Sequence, residues 1–135
     1  MAKVVQMNDG RWQWADFRPN VNGSAVFATG FVSFATESEA QAELNAHAAA
    51  PLDDRNHWVR TKDDLNRLIR AACESHDACE NVEFGEVYWH SPDEMGCNWS
   101  VNWARGDAGE VRACRNATYT TMVNLRTFFN IEDEG

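Results

Sequence analysis

The stretch HSPDEMGCNWSVNW, His90 to Trp103, puts a histidine, two carboxylates, a thiol and two tryptophans within fourteen residues. Read as a ligand loop, it is a metal or catalytic site. Read as a turn entering a strand, it is half of an antiparallel hairpin. The residue order favours the turn. Pro92, Asp93 and Gly96 are turn formers: proline presets φ, aspartate bonds the backbone two residues on, and glycine accepts a positive φ. Beyond them Trp99, Val101 and Trp103 alternate with Asn98, Ser100 and Asn102. A period of two is what a half-buried strand requires, here with aromatics inward and amides outward.

Working outward, the preceding segment VEFGEVYWH (82–90) is the partner strand. Its phase is mixed, with Val82, Phe84 and Tyr88 on one face and Val87 and Trp89 on the other, as in a strand covered on both sides. Upstream, Thr61 and Asp64 form a capping box that opens a helix with Leu65, Leu68, Ile69 and Ala72 as its apolar stripe. Downstream, Asp107 and Glu110 open another helix, with Val111, Cys114, Met122, Leu125 and Phe129 near one face. The first fifty residues read as three strands, KVVQM, RWQWADF and SAVFATGFVSF, separated by the turn clusters NDG and PNVNG. Trp12 and Trp14 share one face of the second strand. Thr36 with Glu39 opens a helix whose Ala40, Leu44 and His47 share a side, and Pro51 ends it. The expected fold is α+β, with antiparallel strands and three helices in the order βββα then αββα. It forms a single compact domain, 1–135, made of two halves (1–50 and 61–130).

Within the first half, Asp9-Gly10 before an alternating aromatic strand, Asn22-Gly23, Ala28-Thr29 and the helix entry Phe34-Ala35-Thr36-Glu37-Ser38-Glu39-Ala40 resemble the repeating unit of the YegP-like family of uncharacterised bacterial proteins. The resemblance covers about the first 49 residues, and the second half does not repeat the unit. It implies a βββα fold for that half and no settled activity.

Twelve Lys and Arg against 21 Asp and Glu give a net charge of −9, and residues 81–135 carry nine carboxylates against four arginines. Such a chain repels phosphate backbones, and Arg55, Arg60, Arg67 and Arg70 are interleaved with Asp53, Asp54, Asp63 and Asp64 rather than forming a basic track. Direct nucleic-acid binding is therefore not expected. No apolar run reaches the roughly 18–20 residues that span a bilayer, and the N-terminus lacks a signal-peptide core. The expected location is cytoplasmic, with all four cysteines reduced and unpaired.

His90, Asp93, Glu94 and Cys97 lack the paired short spacings of zinc sites, and Cys73, His76 and Cys79 converge only if a helix end frays. No metal and no cofactor is expected. A thiol nucleophile needs a histidine within reach, and Cys97 with His90 across the loop mouth is the one pair that fits. The leading expectation is a non-enzymatic interaction or regulatory protein. One version is an inhibitor carried on a mobile element that offers carboxylates to a protein with a basic surface. Its contact residues are Asp93, Glu94, Trp58, Glu132, Asp133 and Glu134, and a homo-oligomer stays open. The alternatives are a small enzyme using Cys97 and His90, or a small-ligand binder with a pocket between the halves. Trp58, alone in a polar connector, is then either a lid on that pocket or an exposed contact.

Overall fold

A computed structural model of the chain describes residues 2–19, 25–29, 31–102 and 104–135. The protein is α+β, with three α-helices and short, mainly antiparallel strands among the described residues. The chain divides into two compact units, Met1–Ala49 and Ala50–Gly135.

The first unit is the expected βββα. Strands β1 (Ala2–Gln6), β2 (Trp12–Pro19) and β3 (Ala25–Thr29) form an antiparallel sheet in that order. The Asn8-Asp9-Gly10 turn closes with Gly10 N donating to Met7 O (3.0 Å) and Gly10 at φ +86°. The PNVNG turn falls at residues 19–23, of which 20–23 lie outside the described residues. The long third run does not stay extended: β3 ends at Thr29, and Phe34 returns to pair with Trp12 through two backbone bonds of 2.7 and 2.8 Å. Thr36 caps α1 (Glu37–Ala49), accepting from Glu39 N and donating to the Glu39 carboxylate. Ala40 is buried and His47 stacks on the buried Trp14 with ring centroids 5.0 Å apart. The expected apolar face is only partly apolar, because Glu43 is buried on the same helix.

In the second unit Thr61 caps α2 (Lys62–Glu74) with the full reciprocal box to Asp64. Leu65, Leu68, Ile69 and Ala72 are all buried, as their spacing requires, and Ala71 joins them. Each large aliphatic contributes roughly 1.5–3 kcal/mol on leaving water. A single 3-10 turn, Asp77–Cys79, follows. The hairpin is present but broken in two: β6 (Val87–Trp89) pairs with β7 (Trp99–Val101), and β5 (Glu83–Phe84) pairs with β8 (Ala104–Arg105). The break at Gly85-Glu86 resets the side-chain phase, which lets Val82 and Val87 both be buried despite their odd separation. Helix α3 (Ala108–Phe128) starts on Asp107, whose side chain accepts from Gly109 N and Glu110 N.

Three expectations are corrected here. Not every strand pair is antiparallel: β4 (Trp58–Val59), inside the connector, pairs in parallel with β9 (Phe129–Asn130). The amides of the 98–102 strand are not all outward, since Asn98 is buried. The cysteines are not all free: Cys79 and Cys114 form a disulfide, while Cys73 and Cys97 are unpaired. The 3-10 turn after α2 folds the chain back and sets Cys79 against α3. Trp103, expected to pack inward, lies outside the described residues.

Candidate functional site

The opening stretch is built as a turn on a buried base. His90 N donates to Asn98 O (2.8 Å), Asp93 N to Cys97 O (3.0 Å), and Gly96 N to Asp93 O (3.0 Å). The Asp93 carboxylate holds the turn from inside, accepting from Met95 N and Cys97 N. Gly96 sits at φ +82°, and a Cβ there would meet His57 Cε1 at 3.2 Å and Arg55 Cδ at 3.3 Å. Only glycine meets both demands without strain.

Beneath the turn lies a network of amides and one carboxylate. Asn130, 1% exposed, donates from Nδ2 to Asp53 Oδ2 (2.8 Å) and Gly96 O (2.9 Å), and its Oδ1 accepts from Asn98 N (3.0 Å). Asn98 in turn donates to Ile131 O (2.8 Å) and accepts from Ile131 N (3.0 Å), so its side chain imitates a strand neighbour. Trp99, fully buried, donates from Nε1 to Phe129 O at 2.9 Å. Asp53 also accepts from Arg55 N and His57 N. Burial works against the charged Asp53, but the bonds from Asn130, His57 and Arg55, with the His57 ring nearby, hold its carboxyl below the usual carboxylate value. The buried His57 places Nδ1 against Arg55 O at 3.0 Å, a contact in which Nδ1 donates, and its Nε2 finds no hydrogen-bond partner among the described residues. Thus the connector, the turn and the C-terminal segment are locked together through Asp53, Asn98 and Asn130, whose side chains bond one another and the backbone around them.

The expected contact residues separate on this frame. Glu94 and Met95 stand at the tip, with Met95 67% exposed, while Cys97, Asn98 and Trp99 at the base are buried. Glu132, Asp133 and Glu134 are exposed beyond β9. Glu134 pairs with Lys62 Nζ at 2.7 Å, and Asp133 accepts from Gly135 N. Asp93 is a turn builder first. Trp58 is half-buried and lies against Phe128 and Phe129 with centroids 6.3 Å away, so its ring packs within the second unit.

His90 and Cys97 are not brought together as a nucleophile and base. The His90 ring spends Nδ1 on Ser91 O (2.7 Å) and Nε2 on Ser100 Oγ (3.0 Å). The Cys97 thiol is fully buried and donates to Trp99 O at 3.3 Å. Burial pushes its pKa up, partly offset by the Arg126 guanidinium, so it rests as the thiol rather than the nucleophilic thiolate. Arg126 serves the same strand: it donates to Trp99 O and Ser100 Oγ and lies 5.2 Å from the Trp99 ring centre.

Two features were not anticipated from the sequence. One is a groove of about 720 Å³ along α2, lined by Asp63, Arg67, Arg70, Cys73 and Glu83 among others; Trp58 is not among its walls. The other is the cluster of Cys73, Cys79 and Cys114, whose sulfurs lie within 4.8 Å of one another. His76, grouped with Cys73 and Cys79 by spacing, is not part of it. Burial, with Glu74 beside it, pushes the Cys73 thiol up to about 11. Among the described residues no helix is long and apolar enough to cross a membrane. Compared with known proteins, the chain matches no family model, no curated protein and no solved structure.

Proposed function

We propose that the protein is a non-enzymatic interaction protein whose acidic second unit binds a protein partner with a basic surface. The observation that carries this is the contrast across the 93–98 turn: Glu94 and Met95 are held out in solvent on a base buried down to 0–5% exposure at Cys97, Asn98 and Trp99. An exposed thioether on a rigid, acidic turn is a pre-organised contact. It loses little conformational freedom on binding, and its methionine fills a partner's apolar recess while the neighbouring carboxylates set the approach.

The charge supports the same reading. Net charge is −9, and Glu94, Glu132 and Asp133 are exposed on two segments joined by four hydrogen bonds through Asn98 and Asn130. Such a field favours a cationic protein surface and opposes nucleic acid. An inhibitor from a mobile element that occupies the basic face of a nucleic-acid-binding protein is the concrete form of this reading. A cytoplasmic setting and kinship of the first unit with the YegP-like proteins belong to the same proposal.

The test is paired affinity capture. Wild-type protein and a Glu94→Lys/Met95→Ser/Glu132→Lys variant, matched by circular dichroism, are used as baits in a lysate of the native host. The reading expects a partner with a basic surface on the wild type that the variant fails to retain. A partner held equally by both baits, or nucleic acid bound directly by the purified protein at physiological salt, overturns it.

A further inference from the structure

The three-sulfur cluster points to a site the interaction reading does not use. Cys79 and Cys114 are bridged and buried at 4% and 0% exposure, and Cys73 is partly exposed. All three sulfurs lie within 4.8 Å of one another. We propose that, once the Cys79–Cys114 bridge is reduced, Cys73, Cys79 and Cys114 bind a single thiophilic metal ion, of the Cu(I) or Zn(II) class, through three thiolates.

The geometry meets the needs of such a site. A thiolate–metal bond of about 2.3 Å places three coordinating sulfurs about 4 Å apart, a spacing reached by parting two bridged sulfurs while the third stays near its present place. The donors come from three elements: the last turn of α2, the 3-10 turn and α3. The sulfurs are therefore positioned by the tertiary fold and do not depend on a flexible loop. Thr118 Oγ1 donates to Cys114 O at 2.9 Å, and Val82 N to Cys79 O at 3.1 Å, which fixes the backbone behind two of the donors. Sulfur donors alone, without carboxylate or imidazole in the cluster, select soft ions over magnesium or calcium. Entry is also provided. Cys73, Val82 and Phe84 line the α2 groove, and the same three residues pack around the bridge.

The chemistry balances with a dithiol as reductant. Its thiolate attacks one sulfur of the bridge, forming a mixed disulfide and releasing the other cysteine as thiolate. The second thiol of the reductant then displaces the remaining cysteine and leaves as a cyclic disulfide. Two electrons and two protons pass to Cys79 and Cys114. Metal binding forms three sulfur–metal bonds and releases the thiol protons. The oxidised protein has one free thiol in the cluster and does not bind.

The experiment titrates Cu(I) and, separately, Zn(II) anaerobically into dithiol-reduced, desalted protein, read by chelator competition, with circular dichroism on each sample. The expected result is one equivalent of at least one ion in reduced wild type and none in oxidised protein. Cys73→Ser keeps the bridge in its oxidised form and so checks folding; its reduced form should bind at least tenfold more weakly. Cys97→Ser should leave the stoichiometry at one. The proposal is overturned if reduced wild type takes up neither ion, or if Cys73→Ser binds as tightly as wild type. It is also overturned if reduction unfolds the chain and metal does not restore the fold. Because the readout is metal affinity, its failure leaves the interaction reading standing.

Discussion

Replacing Asn130 with alanine is the sharpest perturbation of the lock beneath the turn. Its side chain makes three hydrogen bonds of 2.8–3.0 Å, to Asp53 Oδ2, Gly96 O and Asn98 N, in a site 1% exposed. The bond to the carboxylate is worth about 1.5–3 kcal/mol and each neutral bond about 0.5–1.5 kcal/mol, and a buried group left unpaired costs up to its desolvation penalty. Asn130→Ala should therefore destabilise the second unit by about 4 kcal/mol. With a urea m-value of about 2 kcal/mol/M, the midpoint falls by about 2 M. Urea melts followed by tryptophan fluorescence read this directly, since the Trp58 ring lies near the Phe129 ring and Trp99 Nε1 donates to Phe129 O, next to Asn130. Asn102→Ala, at an exposed position, should move the midpoint by less than about 0.5 kcal/mol equivalent and is the internal control. An Asn130→Ala loss no larger than that of Asn102→Ala would refute the reasoning, because it would mean water satisfies the three partners at no cost.

Further outcomes follow from the same contacts. Asp53 and Asp64 are both held below the ordinary carboxylate value, against burial, by hydrogen bonds and by Arg60 and Arg67 beside Asp64. Their stabilisation is complete above the unfolded value of about 3.9 and is lost as pH falls through the depressed folded values; in acid melts Asn130→Ala should show a shallower loss over this range than wild type. Unfolding without reductant, alkylation and intact-mass measurement should add two groups, on Cys73 and Cys97, and four after reduction; four in both samples contradicts the bridge. Opening that bridge, which spans 35 residues of chain, should cost about 4 kcal/mol in the loop-entropy account, read as a lower urea midpoint under reducing conditions. Thr61→Ala should cost about 1 kcal/mol by unmaking the α2 cap, and a neutral result there would mean the cap is replaced by water.

What the sequence disclosed and what it concealed divides by distance along the chain. The Thr61–Asp64 box and the Leu65, Leu68, Ile69, Ala72 stripe were legible because a helix writes its cap and its buried face into neighbouring positions. The 93–96 turn was legible for the same reason, through Asp93 and Gly96. Asn98 was misread as outward because its partners, Asn130 and Ile131, lie 32 and 33 residues away, and alternation alone cannot register a side chain that pairs as backbone. The β4–β9 pair joins two-residue strands across some seventy residues, too short for any periodic signal. Cys79–Cys114 was hidden because it depends on the 3-10 turn reversing the chain after α2. Cys97 and His90 looked like a reactive pair by spacing, while Ser100 and Trp99 O, which engage them instead, are ordinary strand atoms that spacing cannot single out.

The most direct test of the interaction reading is the association rate with the captured partner, measured from 0.05 to 1 M salt for wild type and for a Glu94→Lys/Glu132→Lys/Asp133→Lys variant. The screening length shortens from about 10 Å at 0.1 M to about 3 Å at 1 M. Steering by the acidic unit therefore predicts a wild-type rate that falls by tenfold or more across the range, and a variant rate that is slower at low salt and nearly flat. Equal rates for the two proteins, or a wild-type rate indifferent to salt, would contradict it.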